Sequence, residues 1–75
     1  MAKQASVGNT VYKVVEVIGT STQSWEDAAK NAVETAGHKL RDLRVAEVVK
    51  TDLTVKDGKV QSYRARVMLS FKYES

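Results

Sequence analysis

The chain has no cysteine, no proline and one histidine. Without cysteine there is no disulfide and no thiolate metal site, and thiols say nothing about redox compartment. One histidine excludes a multi-histidine metal site within a single chain. The absence of proline, with only four glycines, points to regular structure with few irregular loops. No apolar run approaches the roughly 20 residues of a membrane helix. No apolar segment follows the N-terminus as a secretory signal would require, so a cytoplasmic location is the expectation. The sequence holds no P-loop, no dinucleotide glycine fingerprint and no EF-hand loop. Gly19-Thr20-Ser21 is too short and generic for a phosphate loop and reads as a turn into a helix.

The 75 residues are enough for one domain. A chain of this size buries only about 60–65% of its unfolded surface, so its core is marginal. The net charge of +3 and pI of about 9.3 permit an anionic partner without demanding one. Residues 1–9 carry no period and read as a flexible leader, with the domain spanning 10–75.

One stretch organises the rest. Between Ser24 and Leu43, apolar or small residues fall at Trp25, Ala28, Ala29, Ala32, Val33, Ala36, Gly37, Leu40 and Leu43. These steps of three and one trace one face of a helix. Ser24 is a suitable N-cap, with Asp27 as an acidic capping-box partner. Lys39 and Arg41 fall where the helix dipole favours positive charge. Glu26, Lys30, Glu34 and His38 form a solvated face at i,i+4 spacing. The buried stripe is mostly alanine, so it must approach a sheet closely. Gly37 costs about 1 kcal/mol relative to alanine, which close packing there would offset. Trp25 reads as a core anchor.

Three strands surround this helix. Thr10 to Ile18 is rich in β-branched residues, with apolar residues on both faces. Gly19 to Gln23 is the turn. Leu43 to Val55 is a long strand whose odd-numbered positions, Leu43 through Val55, form one face. Asp57-Gly58 supplies the positive φ of a type I′ hairpin. Val60 to Tyr73 is the third strand. Its face of Gln61, Tyr63, Ala65, Val67, Leu69, Phe71 and Tyr73 belongs against the helix.

The order is β-α-β-β, an α+β arrangement. A right-handed crossover makes the first two strands parallel, and the hairpin reverses the third. The simplest sheet puts the third strand in the middle, with one helix on one face. The other face and both strand edges stay open, which favours oligomerisation.

Several stretches together resemble the dodecin family. Val11 to Ser21 resembles its opening strand and turn, and Ser24 to Ala29 the start of its single helix. Arg44 to Val48 and Tyr63 to Phe71 match its second and third strands. The resemblance implies a three-stranded antiparallel or mixed sheet wrapped around one helix, assembled as a hollow homododecamer. It also implies a storage and binding role for flavins such as riboflavin or FMN, without catalysis. In typical members a second-strand tryptophan stacks the flavin, two residues before a Glu-Val. The matching position here is Val45. A flavin-contacting glutamine in the third strand corresponds to Arg64. Valine offers no π face, and arginine donates but cannot accept a hydrogen bond. The flavin site is therefore expected to be altered or lost.

Symmetry axes bring copies of one residue together, so single carboxylates can build an oxygen-rich site for a divalent cation. Glu16, Glu47 and Asp52 are the candidates; pairing with Lys13, Lys50, Arg44 or Arg66 is their alternative role. A different class of function is a nucleic-acid binder with Arg44, Lys50, Arg64 and Arg66 on the face away from the helix. Base-stacking aromatics are missing from that face of the third strand. An enzyme would rest on His38 beside Glu34, with no nucleophile–base pair.

Overall fold

The computed structural model describes residues 10–72. The leader expected at residues 1–9 lies outside them, as does Tyr73. The elements are β1 (Tyr12–Ser21), α1 (Trp25–Gly37), β2 (Leu43–Lys56) and β3 (Lys59–Lys72). The sheet order is β1-β3-β2, antiparallel at both pairings. The α+β order and the central third strand are as the sequence indicates, and β1 and β2 run parallel without touching. Among the described residues no helix is long and apolar enough to cross a membrane.

Asp57 and Gly58 both take positive φ, 53° and 74°, which is the type I′ geometry that joins strands of right-handed twist. The arm they close is long. It gives the chain an extent of 60 Å along its major axis against 20 Å and 16 Å across it.

Strand β2 does not present one unbroken odd-numbered face. Its register against β3 shifts between Leu43 and Val45, Val48 and Lys50, and Thr54 and Val55. The first two put an extra β2 residue, Arg44 and Val49, into the ladder and so change which face the following β2 residues use; the third puts the extra residue, Gln61, in β3. Leu43, Ala46, Val48, Thr51 and Leu53 share the helix side of the sheet, because they pair with Phe71, Leu69, Val67, Ala65 and Tyr63. Val45, Glu47, Lys50, Asp52 and Thr54 point to the other side.

The fully or nearly buried core is Ala28, Ala32, Ala65, Val67 and Leu69. The alanines come from the stripe read in the sequence, and the β3 residues from the face assigned to the helix. The glycine that permits this contact is Gly19, not Gly37. Gly37 has only Leu43 Cδ2 near an added Cβ, at 3.9 Å. Gly19 is buried against the backbone of α1 at Ala28 and Ala32. It belongs to β1, which continues to Ser21; the turn is Thr22 to Ser24.

Both helix ends differ from expectation. Ser24 caps the N-terminus, its Oγ accepting the Asp27 N–H at 2.9 Å. The Asp27 carboxylate turns to Ser21, accepting its Oγ–H at 2.7 Å. Ser21 Oγ in turn accepts the Gln23 and Ser24 N–H groups at 2.8 and 3.4 Å. Buried Ser21 thus takes the place of the capping-box acid. The helix stops at Gly37, not Leu43. Lys39 and Leu40 both donate to the Ala36 carbonyl at 3.0 Å, closing the last turn. Asp42, at φ 57°, then redirects the chain into β2. Leu40 and Leu43 pack against the core from the loop and the strand. Helical spacing and a chain returning to the core are indistinguishable over so few apolar positions. Lys39 and Arg41 lie beyond the helix.

Candidate ligand face

The face of the sheet away from α1 is uncovered. Residues paired across antiparallel strands share a face, so the register defines its rows. Thr20, Arg64 and Asp52 form one row, and Ile18, Arg66 and Lys50 the next. Glu16, Met68 and Glu47 follow, then Val14, Ser70 and Val45. All five candidate residues, Val45, Arg64, Glu16, Glu47 and Asp52, therefore share one surface. The bulges make this possible, since Glu47 and Asp52 have opposite parity along β2.

Arg64 is committed on this face. Its Nε and Nη2 donate to Asp52 Oδ1 and Oδ2 at 2.7 and 2.8 Å, a bidentate pair across the strands. Arg64 is not among the partners the sequence suggests for the carboxylates, Lys13, Lys50, Arg44 or Arg66; the fork of the cross-strand arginine wins on geometry. Trp25 fixes the same row from the helix, with Nε1 donating to the Asp52 carbonyl at 2.9 Å. Its ring meets Tyr63 edge-on, centroids 5.2 Å apart at 79°. Trp25 is 41% exposed, so it clamps the edge of the molecule and is not a core anchor. No local signal could have shown this link, because the two residues are 27 apart in sequence.

The hydrogen bonds from Arg64 and its positive charge hold the Asp52 carboxyl below the ordinary carboxylate range. A depressed folded value means that the stabilisation is present above the unfolded value and is lost as pH falls through the folded one. Asp52→Asn is therefore expected to lower the melting temperature at neutral pH. The difference from the parent should vanish in acid, below the ordinary range of a carboxylate. Melting curves from neutral pH downward test this, and a gap that persists unchanged in acid would show that the charge is irrelevant.

The other carboxylates are less engaged. Glu16 Oε2 reaches Arg66 Nε only at 4.0 Å. Glu47 makes no ion pair among the described residues. Nor do three or more acidic or histidine side chains converge among those residues. One chain thus supplies isolated carboxylates, and a cation site would need more than one copy. The basic residues do not form a continuous stripe either. Lys50, Arg64 and Arg66 alternate with Glu16, Glu47 and Asp52, while Arg44 lies 3.9 Å from Asp42. His38 is exposed just past the helix end.

The Dodecin family profile matches residues 11–74. The chain belongs to the dodecin family. The calcium dodecin of Mycobacterium tuberculosis (strain ATCC 25618 / H37Rv) is 44% identical over 63 residues, covering 84% of this chain and 89% of that protein. The dodecin of Streptomyces coelicolor superposes with a TM-score of 0.84 at 35% identity, over 92% of this chain and 99% of that one. A crystal structure of the Mycobacterium tuberculosis calcium dodecin, described as having a novel calcium-binding site, gives a TM-score of 0.76 at 46% identity. It covers 85% of this chain and 91% of its own. Dodecin architecture thus accounts for the small core, the single helix and the long hairpin arm seen here.

Proposed function

We propose that this dodecin is a non-enzymatic binding protein that assembles as a homododecamer and takes up a divalent cation in place of a stacked flavin. The observation that carries the reading is the composition of the open face. It offers no ring at Val45, ties Arg64 to Asp52, and leaves Glu16 and Glu47 on either side of Met68. The similarity to a calcium dodecin supports calcium as the cation. Carboxylate oxygens are the ligands calcium prefers, and symmetry-related copies would raise their number at one point.

Calorimetric titration of the purified assembly with calcium should show saturable binding. Glu47→Gln is expected to weaken it by about tenfold or more, as loss of a charged oxygen ligand from a small set requires. Riboflavin should quench weakly on the parent protein. Val45→Trp should strengthen quenching, since stacking on an aromatic contributes roughly 1–3 kcal/mol per ring. Adding Arg64→Gln should strengthen it further and non-additively, because both positions line one face. Tight riboflavin binding by the parent, with no calcium uptake, would instead make this a flavin-storing dodecin.

A further inference from the structure

A chain without cysteine has no thiol to oxidise, which leaves methionine as the side chain that a peroxide oxidises and a cell restores. Of the two methionines, Met1 lies outside the described residues and Met68 stands in the middle of the open face. From β3 it pairs with Glu16 of β1 on one side and Glu47 of β2 on the other. Cross-strand neighbours on one face have Cβ atoms about 5 Å apart, so the long methionine side chain can reach both carboxylates. Both glutamates are exposed and Met68 is half-buried. Glu47 makes no ion pair among the described residues, and Glu16 stands 4.0 Å from Arg66. The residue does not fill the buried core, which lies on the other side of the sheet around Ala65, Val67 and Leu69.

Oxidation changes what this sulfur can bind. A thioether is a soft, weak acceptor and suits copper(I) better than a hard cation such as calcium. Hydrogen peroxide takes two electrons from it. A sulfur lone pair attacks one peroxide oxygen, an S–O bond forms, the O–O bond breaks, and the second oxygen leaves as water once the protons are redistributed. The sulfoxide is a hard oxygen acceptor with no net charge. It adds a donor between Glu16 and Glu47 without the repulsion a third carboxylate would bring. Calcium takes roughly six to eight oxygen ligands, so an extra oxygen from each symmetry-related copy counts. A thiol-dependent reductase reverses the change, removing the oxygen as water while two thiols become a disulfide. A row open to a cation arriving from water is open to a peroxide as well.

We infer, on the cation reading of this face, that Met68 is a site of reversible oxidation whose sulfoxide tightens calcium binding on the Glu16–Met68–Glu47 row. Uptake thereby responds to peroxide in a protein that has no thiol to sense it.

The full assembly is treated with hydrogen peroxide, and peptide mass mapping locates the added oxygen. Calorimetry with calcium is run before treatment, after it, and after repair by methionine sulfoxide reductases of both stereospecificities with dithiothreitol. Met68 should gain one oxygen. Calcium affinity should rise by about threefold or more, the scale of one further oxygen ligand, and return on repair. Met68→Leu should abolish the response to peroxide. Met68→Gln, which carries an amide oxygen at similar reach, should raise affinity with no peroxide present, so oxidation elsewhere plays no part in that measurement. An unmodified Met68, or an oxidised assembly that binds calcium no more tightly than the parent, would overturn the inference while calcium uptake itself stands. A rise in Met68→Leu equal to the parent's would do the same, as would dissociation of the assembly on oxidation. Calcium binding by the oxidised assembly alone would keep the inference and remove uptake by the unmodified protein. Absence of binding by the parent, oxidised and Met68→Gln assemblies alike would overturn both.

Discussion

Gly19→Ala is expected to leave no native assembly. The added Cβ would overlap the Ala28 carbonyl oxygen and stand 2.8 Å from Ala32 Cβ and 3.0 Å from Ala32 N. Two of these three atoms are backbone, so no rotamer change relieves the clash. The helix would have to lift off the sheet, and α1 contributes Ala28 and Ala32 to the buried apolar core they form with Ala65, Val67 and Leu69. Overpacking in a tight core ordinarily costs about 1–3 kcal/mol, and a clash with backbone belongs at or beyond the upper end. A small domain has only about 5–15 kcal/mol in total to lose. Gly37→Ala is the control. Its Cβ has room, and the exchange should be neutral or stabilise by up to about 1 kcal/mol. Circular dichroism and light scattering on the two variants make the comparison. A Gly19→Ala assembly with the parent's melting temperature would mean that α1 is not seated as described.

The second large effect concerns assembly. Among the described residues only Leu69 and Val67 are large side chains that are fully buried. Tyr12, Val14, Ile18 and Val45 are about half exposed, each on the side of the sheet away from α1. At roughly 25 cal/mol per Å² of apolar surface, covering that face stabilises the fold more than the small internal core alone can. Folding and association should therefore be one event, with no folded monomer in light scattering at micromolar concentration. A charge on the face, Val14→Glu, should abolish both the large species and the cooperative melt. A variant chain that melts cooperatively as a monomer would refute the coupling.

Much of this was legible in the chain. The alanine stripe named the helix and its buried side. The alternation of Ala65, Val67 and Leu69 named the buried side of β3, and Asp57-Gly58 named the hairpin and its turn type. These signals are local and repeat over many residues, so a slip would misplace a whole hydrophobic set. The family and the residues of the candidate face were also visible, through stretches spread from Val11 to Phe71.

Other features depended on contacts between distant parts of the chain. Two register shifts, at Arg44 and Val49, decided which β2 residues share a face, and a shift has no signature in composition. Only the register puts Glu47 and Asp52 on the same surface as Val45. The close approach at Gly19 arises where a strand crosses α1, so the sequence pointed to Gly37, the glycine within the helical period. Ser21 displaced Asp27 in the cap because β1 runs three residues further than its β-branched core. Trp25 left the interior for the Asp52 carbonyl, a partner that β2 brings to it. The sequence by itself determined which residues are apolar, their period and hence the elements and their order, because those follow from each residue's own chemistry. Tertiary structure alone decided register, glycine contact and ion-pair choice, because each is a competition between partners that become neighbours only when the chain is folded.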